Sequence, residues 1–284
     1  MKTNMMLAAL ALIGACSTAV AQSKLQVKVI TSAAEGFSVN SVLIYGDKDA
    51  ILIDPQFLLS EAHRLVATIL ESKKNLTAVY ITHPHPDHFF GLAVIKQAFP
   101  DARLVALPAT VAGIKTGWEA RRKFWMPTYG NNLPATGPIL PEELQEPTLT
   151  IEGEKLQIFG GVQGDGPNNS YVWIPPLKTI VAGDIVFSGA PFVVPKEHGD
   201  WLKVIDQIAA LKPAVVIPGH QSAGAKNDAS TLDYMKRYME DFDKSVAASK
   251  TAEEVRSRMK SLYPNLGMEN LLNAGSQAAF PAKN

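Results

Sequence analysis

No feature of this chain constrains its fold more than the segment at 83–88, which reads HPHPDH. It holds three imidazoles and one carboxylate, and a single threonine separates it from the apolar run at 78–81. Each proline fixes its own φ and moves the preceding residue out of the helical region, which predicts a rigid extended loop. Nitrogen and oxygen ligands packed this densely at the end of a buried strand indicate a site for zinc, manganese or iron.

The composition is that of a large globular protein without a charge bias. Of 284 residues, 46% are apolar and 19% are charged, and the formal net charge is zero. This apolar content is sufficient for a sizeable core. Because there is no basic surplus, the composition favours neither nucleic acid nor an acidic membrane as a partner, and a small molecule is expected instead. The oligomeric state is left open.

Residues 1–21 are predicted to be a signal peptide. Lys2 precedes an apolar stretch too short to span a bilayer, and the small residues at 19–21 form a cleavage site before Gln22. We therefore expect a periplasmic or secreted protein. Cys16, the only cysteine, ends a lipobox-like sequence, so export as a lipid-anchored lipoprotein is the alternative. In both cases no cysteine is left to bind a metal in the mature core.

The remaining residues, 22–284, are predicted to form one α/β domain. Apolar and alternating runs predict strands at 25–30, 38–45, 50–53, 78–81, 103–107, 149–151, 155–159, 170–174, 179–182 and 214–217. Helices are predicted at 59–73, 87–98, 109–123, 200–211 and from about 230 onwards, with a long proline-rich loop at 126–147. Two sheets packed face to face with helices outside would bury both sets of strands.

Four further polar residues follow predicted strands. Asp54 comes after the strand at 50–53, Asp184 lies in the sequence GDIVF and His220 lies in PGH. Asp165 lies in a glycine-rich loop. In layered α/β folds ligands collect at the loop ends of strands, so we expect these residues to lie near the histidine-rich segment.

Together, the H-x-H-x-D-H spacing, the G-D-x-x-F block at Asp184 and the P-G-H block at His220 resemble the metallo-β-lactamase fold superfamily. The resemblance extends from about residue 24 to about residue 222. It implies a four-layer αββα sandwich built from two similar halves. It also implies that Asp54 supports the metal loop.

The same resemblance implies two divalent metal ions, zinc with manganese or iron as alternatives. A water or hydroxide between them would be the nucleophile, and Asp87 would also transfer the proton. The implied ligands are His83 and His85 for the first ion, Asp87, His88 and His220 for the second, and Asp184 for both.

The chain departs from the family pattern at Asp165. The family normally has histidine at this position as the third ligand of the first metal, whereas the surrounding Gly164 and Asn169 still fit the pattern. Aspartate is a competent but harder ligand, which shifts the preference towards manganese, iron or zinc of higher coordination number. The alternative is that the first site binds its metal weakly or stays empty, in which case the protein would not hold two metals.

An aromatic cluster precedes and enters the long loop, and it includes Trp118, Trp125 and Tyr129 beside Arg121 and Arg122. One interpretation is a substrate wall that offers aromatic faces and a positive charge for a carboxylate. The other is that Trp118 and Trp125, seven residues apart, form one buried stripe of a helix.

The resemblance implies a hydrolase that cleaves a lactone, ester, thioester or amide of a small exported or extracellular substrate. Aspartate at position 184 is similar to the lactonases and to glyoxalase II, whereas zinc β-lactamases tend to carry cysteine or serine there. Three alternatives stay open: a metallo-β-lactamase acting on β-lactams, a mononuclear iron sulfur dioxygenase, and a non-catalytic metal-binding protein.

Overall fold

A computed structural model of the chain describes residues 24–280, so the predicted signal peptide and Cys16 lie outside the described residues. Thirteen strands run in chain order as β1 Gln26–Thr31, β2 Asn40–Tyr45, β3 Asp49–Ile53, β4 Asn75–Ile81, β5 Arg103–Ala106, β6 Glu142–Glu143, β7 Thr148–Ile151, β8 Glu154–Val162, β9 Asn169–Ile174, β10 Thr179–Val181, β11 Phe187–Ser188, β12 Val215–Ile217 and β13 His220–Gln221. Seven helices within the same residues are α1 Leu59–Ser72, α2 Leu92–Ala98, α3 Pro108–Tyr129, α4 Gly199–Ala210, α5 Ser230–Ala247, α6 Ala252–Leu262 and α7 Glu269–Ala279.

The strands form two large sheets. The first has six strands in the order β1-β2-β3-β4-β5-β6, and the second has five in the order β12-β10-β9-β8-β7. Strands β3 to β6 run parallel to one another, as do β10 and β12. Because parallel strands end at the same edge of a sheet, the loops after β3, β4, β10 and β12 are available to build one site.

The two sheets pack face to face. Their inner faces share one core, in which side chains of β2 to β5 meet side chains of β7 to β10. The Tyr80 hydroxyl of β4 also lies 2.7 Å from the Ser170 hydroxyl of β9, so a buried hydrogen bond joins the sheets.

Helices cover both outer faces of the pair. Helices α1, α2 and α3 close a second core on the first sheet, and α4 to α7 close a third core on the second sheet. This arrangement confirms the expected αββα sandwich. Within residues 24–280, no helix combines the length and apolarity that crossing a bilayer requires.

Two predicted helices begin or end elsewhere. The helix expected at 87–98 starts only at Leu92, because Pro86–His88 form a short 3-10 turn that holds the metal loop. The helix expected at 109–123 continues to Tyr129 and includes Pro127, so the loop predicted at 126–147 begins after it. Pro127 stands in the last turn, so the backbone hydrogen bond that proline cannot donate is lost only at the end of the helix.

Gly91 allows α2 to pack against the loop after β3. Its backbone N–H donates to the Gln56 carbonyl at 3.0 Å, and a Cβ atom at this position would lie 1.9 Å from the Pro55 carbonyl oxygen. The obstacle is backbone, which cannot rotate away. Only glycine therefore fits at this contact.

We predict that Gly91→Ala lowers the free energy of unfolding by about 1–3 kcal/mol, the usual cost of overpacking. Urea unfolding followed by circular dichroism measures the shift. Gly199→Ala is the matched control, since a Cβ there meets open space at the first position of α4. Equal midpoints for the two variants would contradict the close backbone contact at Pro55.

Candidate metal centre

The loop ends of strands from both sheets meet at one place. Asp54 follows β3, and His83 lies two residues beyond β4. From the second sheet, Asp184 lies in a short turn after β10, and His220 begins β13 just after β12. Asp165 lies in the loop between β8 and β9. The structure thus brings the sequence-predicted residues of both halves together.

Seven side chains form two clusters that share one carboxylate. In each cluster the potential ligand atoms all lie within 4.8 Å of one another. The first cluster is His83, His85, Asp165 and Asp184, and the second is Asp87, His88, Asp184 and His220. Asp184 therefore occupies the bridging position between them.

Asp54 orients two of the histidines. Its Oδ2 atom lies 2.8 Å from His88 Nδ1 and accepts a hydrogen bond from the Thr82 hydroxyl at 2.7 Å. The Thr82 oxygen in turn lies 3.0 Å from His83 Nδ1. Because the Thr82 hydroxyl donates its hydrogen bond to Asp54, its oxygen accepts a hydrogen bond from His83 Nδ1. Both rings therefore hold a proton on Nδ1 and direct Nε2 to the centre.

A backbone carbonyl orients the histidine of the other half. His220 Nδ1 donates to the Phe37 carbonyl at 2.7 Å, which directs Nε2 towards Asp184 at 3.2 Å. Gly219 makes this approach possible, because a Cβ atom there would lie 2.1 Å from Asp184 Oδ1. Neither Phe37 nor Thr82 was predicted from the sequence, since neither belongs to a ligand motif.

Asp165 faces the first cluster despite replacing histidine. Its Oδ2 lies 2.9 Å from His85 Nδ1, and its Oδ1 accepts from the Asn169 carboxamide at 3.3 Å. Asn169 also donates to the Gly166 carbonyl at 2.9 Å, so it ties the carboxylate to its own loop. The residue that departs from the family pattern is thus placed where a ligand is needed.

Charge in the centre is balanced between carboxylates and imidazoles. Burial raises the pKa of Asp184, but His220, His88 and His83 outweigh it and hold the pKa well below its usual range. Burial lowers the pKa of His85, but Asp165 and Asp184 raise it to about 10. Burial likewise lowers the pKa of His220, and Asp184 and Asp87 raise it to about 10.

The donor set fits divalent cations. His83 Nε2, His88 Nε2 and Asp184 Oδ1 are buried and have no hydrogen-bond partner within residues 24–280. His88 Nε2 and Asp184 Oδ1 approach to 3.1 Å but are not aligned for a hydrogen bond. Buried polar atoms are rarely left unpaired in proteins, and four imidazoles with three carboxylates are the ligand types of zinc, manganese and iron.

A cavity of about 570 Å³ opens above the centre. Its floor includes His85, Asp87, Asp165, Asp184 and His220. Its walls are mainly apolar and are formed by Phe37, Pro86, Phe124, Trp125, Phe187, Phe192, Val193, Met268, Asn270, Leu271 and Ala274. Trp125 therefore borders the site as expected, whereas the contribution of α7 and the residue before it was not predicted.

The interpretation of Trp118 as part of a substrate wall was wrong, and the alternative of a buried helix stripe holds for this residue. Trp118 is buried in the core beneath α3, with its ring 4.9 Å from that of Phe90, because it lies on the inner face of the helix. Tyr129 lies outside the cavity lining, where its ring packs 5.1 Å from Phe57 and its hydroxyl donates to the Glu35 carbonyl. Trp118, Trp125 and Tyr129 share the inner face of α3, where Trp125 and Tyr129 also pack against the core that contains Trp118.

Arg121 and Arg122, which were expected to place a positive charge in the substrate wall, make hydrogen bonds to backbone carbonyls instead. Arg121 Nη1 donates to the Gly113 carbonyl at 2.8 Å, within the helix itself. Arg122 Nε donates to the Pro134 carbonyl at 2.7 Å. Neither side chain lines the cavity, although Arg121 lies close enough to Asp87 to interact with its charge.

Comparison with known proteins agrees with this architecture. The chain is 25% identical to the metallo-beta-lactamase type 2 of Bacillus cereus over 211 residues, which are 71% of this chain and 75% of that protein. It is 35% identical to a probable metallo-hydrolase of Streptococcus pyogenes serotype M6 over 60 residues, 21% of this chain and 25% of that protein.

Solved structures show the same fold. A metallo-beta-lactamase family protein from Thermus thermophilus superposes with a TM-score of 0.60 at 18% identity, covering 90% of this chain and 91% of that chain. The BLEG-1 B3 metallo-beta-lactamase superposes with a TM-score of 0.58 at 18% identity, covering 75% and 99%. The metallo-beta-lactamase superfamily profile matches residues 34–220, from before β2 to the last histidine of the centre. The chain therefore belongs to the metallo-beta-lactamase superfamily.

Proposed function

We propose that this protein is an exported, binuclear metallo-hydrolase that cleaves a lactone, ester, thioester or amide of a small substrate. The observation that carries the proposal is the pair of ligand clusters that share Asp184 on the floor of the cavity. A substrate carbonyl in that cavity would reach both clusters at once. Export to the periplasm or beyond is proposed from the signal-peptide sequence at 1–21.

Seven residues of the chain would hold the metals. His83, His85 and Asp165 would bind the first ion, Asp87, His88 and His220 the second, and Asp184 both. Divalent ions here would supply Lewis acidity, which polarises a carbonyl and lowers the pKa of water towards neutrality. Asp165 adds a hard oxygen donor to the first cluster, so manganese or iron competes there with zinc.

Asp87 is the residue best placed to handle a proton. It lines the cavity, and its Oδ2 lies 3.3 Å from His220 Nε2. Burial raises the pKa of Asp87, but His88 and His220 outweigh it and hold the pKa below its usual range. The carboxylate is therefore ionised at neutral pH and can accept a proton from the attacking water and return it to the leaving group.

A second candidate is hydrolysis of β-lactams, which the similarity to the Bacillus cereus enzyme favours. Against it, β-lactam antibiotics carry a carboxylate, and no lysine or arginine lines the cavity in the part of the chain that the structure describes. Nitrocefin, a chromogenic cephalosporin, separates the two candidates when it is assayed beside p-nitrophenyl butyrate.

We predict that Asp184→Asn and His88→Ala each lower kcat/KM for p-nitrophenyl butyrate by more than about 100-fold, because even residues that only support metal ligands cost 10–100-fold. His63→Ala is the control, since this histidine is exposed on α1. Circular dichroism checks that each variant stays folded. Wild-type-like activity in folded Asp184→Asn protein would contradict the site, and a metal-loaded wild type that hydrolyses no lactone, ester, thioester or amide would contradict the proposed function.

We also predict that metal binding releases about two protons per chain at pH 7, because metal ligands must be deprotonated. Burial lowers the pKa values of His85 and His220 but neighbouring carboxylates raise both to about 10, so these rings are protonated at pH 7 and lose their protons to the metal. The release should decline as the pH approaches 10. Calorimetric titration with Zn²⁺ in Hepes and Pipes measures it, and identical heats in the two buffers would contradict the charge balance described above.

A further inference from the structure

We propose that the cavity selects a neutral carbonyl compound with an alkyl or aryl group of several carbons, and that it discriminates against anionic substrates. This inference rests on the proposed hydrolysis, because it concerns the substrate of the same centre. It follows from the chemistry of the cavity walls rather than from the ligands on the floor.

Aromatic rings from both halves of the fold form the walls. Phe37 and Trp125 contribute from the first half, with ring centroids 5.2 Å apart. Phe187 and Phe192 contribute from the second half, with stacked rings 5.1 Å apart. Flat apolar surfaces in the wall of a cavity favour an alkyl or aryl group against them.

Helix α7 closes a third side with aliphatic groups. Leu271 lines the cavity and packs against the core that contains Phe192, and the next residue, Leu272, is itself buried in that core. The helix is thus anchored to the second sheet and presents its apolar face to the substrate. Met268, which precedes α7, adds a flexible thioether at the same side.

An anionic group would find no partner on these walls. Among residues 24–280 the cavity lining contains no lysine or arginine, and Asn270 is its one polar residue outside the ligand clusters. Burying an unpaired charge costs far more than burying a methylene group. The walls therefore penalise a carboxylate that is buried against them.

Phe124 marks where the substrate's apolar group emerges. It lines the cavity mouth but is 71% exposed, and its ring stands edge-on to Trp125 at 4.8 Å. Leu70 is similarly exposed, at 63%, but lies on α1 away from the cavity. If Phe124 serves substrate binding, its removal weakens binding whereas the removal of Leu70 does not.

A binding experiment tests the walls without requiring activity. The probe is N-phenyl-1-naphthylamine, a neutral fluorescent compound, titrated into metal-free and metal-loaded protein. We expect saturable binding that Phe124→Ala and Trp125→Ala weaken at least about fivefold each and that Leu70→Ala leaves unchanged, since a buried aromatic contact stabilises by about 1–2 kcal/mol. Absence of saturable binding, or equal binding by all variants, would overturn the inference.

A kinetic experiment tests selectivity on the loaded enzyme. Across p-nitrophenyl acetate, butyrate, hexanoate and octanoate, kcat/KM should rise about two- to fourfold per methylene. The hexanoate should exceed the matched anionic adipate monoester by at least about tenfold. Ala274→Arg, an exposed position of α7 that lines the cavity, should narrow that ratio, whereas Ala278→Arg, exposed on the same helix outside the lining, should not.

The two experiments separate a failure of the proposed hydrolysis from a failure of the proposed substrate selectivity. Probe binding with the expected variant effects, without ester hydrolysis, would contradict the hydrolase and leave the apolar binding site standing. Ester hydrolysis that ignores chain length and accepts the adipate monoester equally well would keep the hydrolase and overturn the selectivity.

Discussion

A buried carboxylate, Asp184, is the constraint on which the rest of the centre depends. It is only 2% exposed, and histidines of both halves surround it, with His83 at 3.5 Å, His88 at 3.1 Å and His220 at 3.2 Å. Taking a carboxylate out of water costs several kcal/mol unless cations compensate it. Protonated imidazoles can do so in the metal-free protein, and metal ions would do so more strongly. The loops after β4, β10 and β12 must therefore converge for the fold to be stable.

Hydrogen bonds from neighbouring residues hold the histidines of these loops in place. The Asp54 carboxylate accepts hydrogen bonds from Thr82 and His88. The Thr82 oxygen in turn accepts one from His83, so Asp54 also orients His83 through Thr82. A substitution at Asp54 would therefore disturb two ligands at once. Phe37 also has two roles, because its carbonyl accepts a hydrogen bond from His220 and its ring lines the cavity. The orientation of His220 and the shape of the cavity wall are thus coupled through one residue.

The sequence predicted the fold and the clustered residues because their signals are local. The HPHPDH segment and the apolar strands carry their information within a few positions, so the αββα arrangement and the ligand loops follow from short windows. The cavity walls could not be predicted in this way. Phe37, Phe192 and Leu271 come from distant parts of the chain, and only tertiary packing brings them together. Trp118 and Trp125 lie on the same face of α3, and only the packing of that helix decides that Trp125 lines the cavity whereas Trp118 is buried.

The central claim is that Asp165 completes a first metal site beside a second. Elemental mass spectrometry on protein purified without added metal tests it directly, with Asp165→Ala measured in parallel. The account predicts about two zinc, manganese or iron ions per wild-type chain and about one in the variant. One ion per chain in both proteins would contradict it, and a single iron would favour the sulfur dioxygenase alternative. No bound metal in either protein would favour a protein that has kept the fold without the catalysis.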